Sequence, residues 1–287
     1  MTRCGAANRI RNMKYSWHLV EEPTGFQVFV LAPGEDRKEF LSPALVTTRR
    51  RGVSRGPFES LNVSFRVGDD PESVRRNREL IARGLGLQES RCARPEQVHG
   101  DSVLPTDSPG DHEAADGLVS SSRDVWLCVH VADCVPVFVF DPGLTAVGLA
   151  HAGRRGTAAG ITANLINVFK SSFQCAVSQL IVALGPSVGP CCYELDYATA
   201  SQLRPDCITE RHGKSFFDLW EANKLQAMGT GIRQDNIVLP PACTSCRADL
   251  FFSHRAHRGR TGRQMALTKA GGLRLRGDPM PDAGREV

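Results

Sequence analysis

His99, Cys134 and His151 are the side chains of this sequence best suited to hold a metal ion. His99 lies in Glu96-Gln97-Val98-His99-Gly100, Cys134 in Ala132-Asp133-Cys134-Val135-Pro136, and His151 at the end of an apolar segment, before a glycine-rich turn. Two imidazoles and a thiolate make a competent zinc set, and three protein ligands leave a fourth position for water or substrate, as catalytic sites require. Their separations along the chain match no local metal signature. Residue chemistry alone therefore leaves structural histidines and a core cysteine as the default reading.

The turn after His151 carries a second signal. Gly153 and Gly156 let the backbone approach a ligand, while Arg154, Arg155 and the start of a following helix offer positive charge and free N–H groups. That pattern reads as an anion pocket or, equally, as a tight connection bearing two solvated arginines. Residues 253–263 form a basic run without an acid. Such a run covers a phosphate or another subunit in some proteins and is more often a solvated face or tail.

Ten cysteines raise the question of a disulfide scaffold. The chain is long, shows no secretion signal and scatters its cysteines through apolar segments, so reduced thiols are expected. The vicinal pair Cys191 and Cys192 is poorly placed to bridge itself. Cys243 and Cys246 form a lone C-x-x-C without a visible second pair, whereas a structural zinc site needs four ligands. Two thiols in a turn is the reading.

The elements that must position these groups can be sketched from pattern. Asp70 as N-cap, Pro71 at the first helical position and Glu72 in the first turn open a helix whose apolar face is Val74, Leu80, Ile81 and Leu85. Residues 125–140 read as two buried strand segments meeting at a functional bend, Ala132-Asp133-Cys134. A strand at 145–150 runs into the turn, and Ile161, Leu165, Val168 and Phe169 then repeat at helical spacing. Strand 180–184, a turn to 190, a helix after Asp196, a helix near 217–228, and short strands at 237–239 and 250–252 complete the sketch. The alternation is too irregular for a doubly wound parallel sheet, so an α+β layered sandwich with mixed sheets is expected.

Composition bounds the rest. The chain has 287 residues, 41% hydrophobic and 23% charged, as a globular protein does. Its 35 basic against 31 acidic side chains give no general field for nucleic acid. The longest apolar stretch is broken by His130 and Asp133 and is too short for a bilayer. The first residues lack an apolar signal core, so a cytoplasmic location is expected. No linker or repeat divides residues 47–267, and the expected organisation is an N-terminal extension (1–20), a single catalytic domain (21–270) and a C-terminal tail (271–287).

The motifs together resemble a known family. TTRRRGVSRGPFESLN (47–62), VGDDP (67–71), QVHG (97–100), ADCVP (132–136), HAGRRGT (151–157), GPSVGPCCYEL (185–195) and FFSHR (251–255) occur in the order seen in the YfiH or laccase-domain family of purine nucleoside phosphorylases. The resemblance covers about residues 47–267. It implies an α/β/β/α sandwich and a catalytic zinc held by His99, Cys134 and His151, with copper the alternative ion. It further implies phosphorolysis of adenosine, inosine and related nucleosides such as methylthioadenosine, plus adenosine deamination, by a monomer or weak homodimer. Within that frame Arg155 is the expected phosphate holder, and Asn62 and Ser54 are the expected partners of the ribose hydroxyls. Three positions depart from the family pattern: Arg154 stands where Trp is usual, Arg66 where His precedes VGDD, and His254 where Tyr is usual. These bear on base stacking and substrate range and leave the three metal ligands intact.

Three rival readings use the same residues. Cys134 activated by His151 would make a thiol hydrolase. A copper oxidase would need a blue-copper site beside a histidine-rich cluster, against eight histidines here and no His-x-His pair. A nucleotide-binding module would bind without turnover.

Overall fold

The architecture follows from alternation along a few strands. The computed structural model describes residues 15–22, 25–33 and 41–274. In Trp126–Val131, Trp126 and Cys128 pack on one side, and Leu127, Val129 and Val131 on the other, as a pleat of period two requires. In Val135–Phe140 the valines face one core and Phe138 and Phe140 the opposite one. Each strand is thus buried on both faces, which places it inside a layered stack.

Two mixed sheets build that stack. The seven-stranded sheet runs in the order Tyr15–Glu21, Gln27–Pro33, Leu45–Thr47, Gln264–Thr268, Trp126–Val131, Cys92–Pro95 and Gly110–His112, the last three mutually parallel. The six-stranded sheet runs Ile237–Val238, Ile181–Leu184, Val135–Phe140, Val147–Ala152, Gly117–Ser120 and Val103–Pro105. Leu31, Val46, Val129 and Val131 of the first meet Phe138, Phe140, Leu118 and Leu149 of the second in one core. Removing Phe138 or Phe140 from water stabilises this interface by about 1.5–3 kcal/mol each.

Helices close the outer faces. Helix α1 (Pro71–Leu85) lays Ile81 and Leu85 on the outside of the seven-stranded sheet. Asp70 caps it by accepting from the Glu72 and Ser73 amides, and Gly86, at φ +63°, ends it. Helix α2 (Arg154–Ala159) follows the strand Val147–Ala152 directly, and α3 (Ile161–Phe173) then buries Ile161, Leu165, Ile166 and Phe169 on the six-stranded sheet. The short α4 (Tyr197–Ala200) follows its N-cap Asp196. Helix α5 (Leu219–Gly229) packs beside α3 through Leu219, Ala222 and Ala227. The order helix, sheet, sheet, helix is the expected α/β/β/α sandwich.

The structure departs from the sequence reading in four places. Residues 15–20, assigned to an N-terminal extension, lie in the paired strand Tyr15–Glu21, while residues 1–14 and 275–287 of the expected extension and tail lie outside the described residues. The strand expected at 250–252 does not form. There the Leu250 and Phe251 amides donate to the Arg247 carbonyl, and the Phe252 amide donates to the Gln264 side chain, so turn and side-chain partners satisfy the backbone that a ladder would otherwise need. The turn expected around Arg154 and Gly156 is already helical. Of the described cysteines, eight are free thiols, and Cys175 is the exception to the reduced state expected, being disulfide-bonded.

Candidate metal centre and its cavity

The bend at 132–134 is the step between the two sheets: Trp126–Val131 belongs to the seven-stranded sheet and Val135–Phe140 to the six-stranded one. Asp133 makes the step at φ +84°, a left-handed conformation that Asp tolerates better than most residues. Its carboxylate accepts from the Thr244 hydroxyl and the Arg255 amide, both at 2.6 Å, and its carbonyl accepts from the Val188 amide at 2.9 Å. The fixed bend presents Cys134 between the layers.

His151 is the penultimate residue of Val147–Ala152, in register with Pro136 and therefore beside the same bend. His99 comes from a loop with Gln97 and His99 both at φ +63°. Gln97 fastens that loop: its amide donates to the His130 carbonyl at 2.8 Å and accepts from the His130 N–H at 2.9 Å, in place of a neighbouring strand. The donor atoms of His99, Cys134 and His151 all lie within 4.8 Å of one another. The two imidazoles meet edge to face with ring centres 4.7 Å apart.

Asp116 orients both histidines, and sequence reasoning missed it. Fully buried, it takes the His151 Nδ1 at 2.9 Å and the His99 amide at 3.0 Å on one oxygen, and the Gly100 amide at 2.7 Å on the other. Holding Nδ1–H leaves His151 Nε2 free to ligate, the usual device of a carboxylate behind a metal-bound histidine. Burial opposes ionisation of Asp116, but these hydrogen bonds outweigh it and hold the carboxyl below its ordinary value. Its only signal in the sequence is an acid among small residues just before a strand.

The same balance acts on the ligands. Burial alone would push the Cys134 thiol up, yet the His151 charge and hydrogen bonds from both histidines bring it down to about 6. Burial would lower His151, while Cys134 and Asp116 raise it to about 9. A buried thiolate beside an imidazolium is a donor pair in which a divalent cation can take the place of the imidazolium proton. The donor set thus fits a zinc ion chemically, with His99 exposed beside the cavity; three protein ligands would leave a fourth position of a tetrahedral ion to water or substrate.

The glycines after His151 have a specific task. A Cβ on Gly153 would stand 2.9 Å from Cys134 Sγ and 3.2 Å from His99 Cδ2. On Gly156 it would stand 2.5 Å from the Gly100 carbonyl. Both positions let the start of α2 press against the ligand loops.

These groups floor a cavity of about 1280 Å³. Its wall includes Arg66, Arg154, Arg155, Arg255, Arg258 and Arg263, none of which makes an ion pair among the described residues, whereas Arg78 and Arg94 are paired with Glu89. Tyr193, under the Arg255 guanidinium, and His254 supply aromatic surface. His130 also lines the cavity, held neutral chiefly by burial and then by surrounding arginines, with its Nε2 lacking a hydrogen-bond partner. The basic run at 253–263 is therefore cavity wall rather than tail. Arg66, Arg154 and His254, the three departures from the family pattern, all line this space.

Not every expected residue reaches it. Ser54 and Asn62 are buried outside the cavity lining. Ser54 donates to Asp69 and accepts from Asn77. Asn62 donates to Asp69 and to the Ser64 carbonyl and accepts from the Ser64 and Arg263 amides. Their polar atoms are thus engaged within the protein, and the ribose contact expected of them is not available in this arrangement. A second group also gathers: Cys191, Cys192, Cys243 and Cys246 place their sulfurs within 4.8 Å of one another, against the expectation of two thiols in a turn.

An α/β/β/α sandwich with a His–Cys–His centre at the crossing of its sheets defines the class of protein. Residues 43–270 match the family model described as multi-copper polyphenol oxidoreductase laccase, and the chain belongs to that laccase-domain family. It is 38% identical over 240 residues, 77% of this chain and 88% of the relative, to purine nucleoside phosphorylase YlmD of Geobacillus stearothermophilus. It is 33% identical over 221 residues to the mouse purine nucleoside phosphorylase LACC1, covering 72% of this chain and 51% of that one. The solved structure of Geobacillus stearothermophilus YlmD superposes with a TM-score of 0.74 at 34% identity, over 84% of this chain and 98% of that one. YfiH of Bacillus licheniformis gives 0.73 at 31%, over 82% and 93%. No helix of the described residues is long and apolar enough to cross a membrane.

Proposed function

We propose that this chain is a zinc-dependent purine nucleoside phosphorylase with adenosine deaminase activity, acting in the cytoplasm as a single catalytic domain, a monomer or weak homodimer. The observation that carries the reading is the convergence of His99, Cys134 and His151 on the floor of a cavity in which six arginines, Arg66, Arg154, Arg155, Arg255, Arg258 and Arg263, lack acid partners among the described residues. The names of the relatives support the purine nucleoside phosphorylase part of this reading.

His99, Cys134 and His151 would hold the zinc ion, which would supply Lewis-acid polarisation and water activation when bound. The chain's own residues do the rest. Arg155, with Arg154 and Arg258 nearby in the wall, holds phosphate by charge-assisted hydrogen bonds and places one oxygen toward the anomeric carbon. That carbon–oxygen bond forms as the glycosidic carbon–nitrogen bond breaks; the electron pair leaves with the purine, which takes up a proton, and ribose 1-phosphate results. Tyr193 and His254 offer stacking faces for the base. Asn62 positions the wall by accepting from the Arg263 amide at 2.9 Å. In deamination, water adds at C6 and ammonia leaves.

A second reading is favoured by one observation, the thiolate–imidazolium pair of Cys134 and His151, which suits a thiol hydrolase. Copper oxidation of phenols is less well served, since the described residues gather one His–Cys–His set and one four-cysteine set but no histidine cluster of the kind a trinuclear centre needs. The test is incubation with adenosine and with inosine, with and without phosphate, for wild type, Cys134→Ala and His151→Ala. Phosphate-dependent ribose 1-phosphate from wild type alone supports the proposal. Binding without turnover, or ester hydrolysis blocked by alkylating Cys134 in zinc-free protein, overturns it.

A further inference from the structure

We propose that Cys191, Cys192, Cys243 and Cys246 form a second, structural metal site, a tetrathiolate zinc centre that clamps two loops behind the cavity.

The geometry is that of a shared centre. Cys246 Sγ lies 3.5 Å from Cys191 Sγ and 3.4 Å from Cys192 Sγ, and all four sulfurs fall within 4.8 Å. Tetrahedral zinc with bonds of about 2.3 Å sets sulfur–sulfur edges of about 3.8 Å, a value within the range from 3.4 Å to 4.8 Å found here. Disulfide formation would instead draw two sulfurs to about 2 Å and single out one partner, whereas Cys246 is nearly equidistant from two. The Gly189 amide donates to Cys243 Sγ at 3.2 Å, the kind of backbone hydrogen bond that supports a thiolate ligand.

The four ligands come from two segments far apart in the chain, the vicinal pair after the turn at 185–190 and the C-x-x-C at 243–246. Those segments already touch, with the Thr244 amide donating to the Ser187 carbonyl at 2.9 Å. From there the Thr244 hydroxyl and the Val188 amide both grip Asp133, which makes the bend carrying Cys134, while Tyr193 continues from Cys192 into the cavity wall. The centre does not share a ligand with the His–Cys–His site. Its role is to fix the two loops from outside, and its metal takes no part in substrate chemistry.

Metal content of protein expressed in zinc-supplemented medium tests this, measured by elemental mass spectrometry per chain. Wild type is expected to hold two zinc ions, the Cys191→Ser/Cys246→Ser variant one, and His99→Ala/Cys134→Ala one. Cys246→His, which keeps a zinc ligand, should retain two where Cys246→Ser loses one, separating ligation from folding failure. Cobalt substitution in His99→Ala/Cys134→Ala should show the absorption of a tetrahedral four-thiolate site. The proposal is overturned if His99→Ala/Cys134→Ala binds no metal, if the double serine variant keeps both ions, or if the four cysteines of fresh protein prove to be disulfides. A wild type with one zinc lost on Cys191→Ser/Cys246→Ser would uphold this site and count against the proposed catalytic one.

Discussion

Asp116→Asn isolates the orientation of the metal ligands from the ligands themselves. The substitution keeps size and shape but replaces one acceptor oxygen with an NH₂ group. Asp116 presents one oxygen to His151 Nδ1 and the His99 amide and the other to the Gly100 amide, so an asparagine cannot satisfy all three donors. If its remaining oxygen serves the two histidines, its NH₂ faces the Gly100 N–H, leaving two buried donors opposed at a cost of about 1–3 kcal/mol. If it is turned the other way, His151 loses the acceptor that fixes its tautomer. Either arrangement should weaken zinc about 10–100-fold, equivalent to about 1.4–2.8 kcal/mol. The assay is competition for zinc against a chromophoric chelator, with thermal unfolding run in parallel. The sign of the pH effect also follows. A carboxyl held below its ordinary value contributes stability that is complete above the unfolded pKa, about 3.9, and is lost as pH falls through the folded value. Asp116→Asn should therefore flatten the acid limb of the stability profile. Zinc affinity within twofold of wild type, with an unchanged acid limb, would refute the reasoning.

Further outcomes follow from the same geometry. Gly153→Ala, whose Cβ would stand 2.9 Å from Cys134 Sγ, should cost metal affinity with a smaller change in unfolding temperature, checked by the same chelator competition and calorimetry. Gly156→Ala presses on the Gly100 carbonyl at 2.5 Å and should destabilise by about 1–3 kcal/mol, read from denaturant unfolding; an unchanged midpoint contradicts that packing. Arg155→Ala should raise the KM for phosphate at least tenfold while leaving zinc content at the wild-type level, measured by steady-state phosphorolysis of inosine. Chelation should make Cys134 alkylatable at neutral pH and added zinc should protect it, as peptide mass spectrometry would show.

What could be read from the sequence was what neighbouring residues encode. The cap at Asp70, the two strands meeting at Ala132-Asp133-Cys134, the strand leading to His151 and the helix at Ile161 depend on local periodicity and chain stereochemistry, and the structure keeps them, though the strand runs on through His151 and the turn after it is already helical. The bend was legible because a polar triplet interrupts an apolar run. That its two strands belong to different sheets was not, since pairing partners lie far away in the chain. Asp116 was invisible for the same reason: its importance comes from three donors brought to it by folding. The four cysteines appeared as two unrelated pairs because about fifty residues separate them. Ser54 and Asn62 carry groups that could bind ribose, and only burial shows those groups engaged with Asp69, Asn77 and Ser64. The basic run at 253–263 looked like a solvated face because its charge, read without the fold, gives no hint that it turns back over a cavity.

Anomalous diffraction at the zinc edge from crystals of the zinc-loaded protein addresses the central claim most directly. A peak about 2.3 Å from Cys134 Sγ and about 2.0–2.1 Å from one nitrogen of each of His99 and His151, open toward the arginine-lined cavity, is the predicted result. Density absent from that position, or metal found at the cysteine cluster alone, would contradict it.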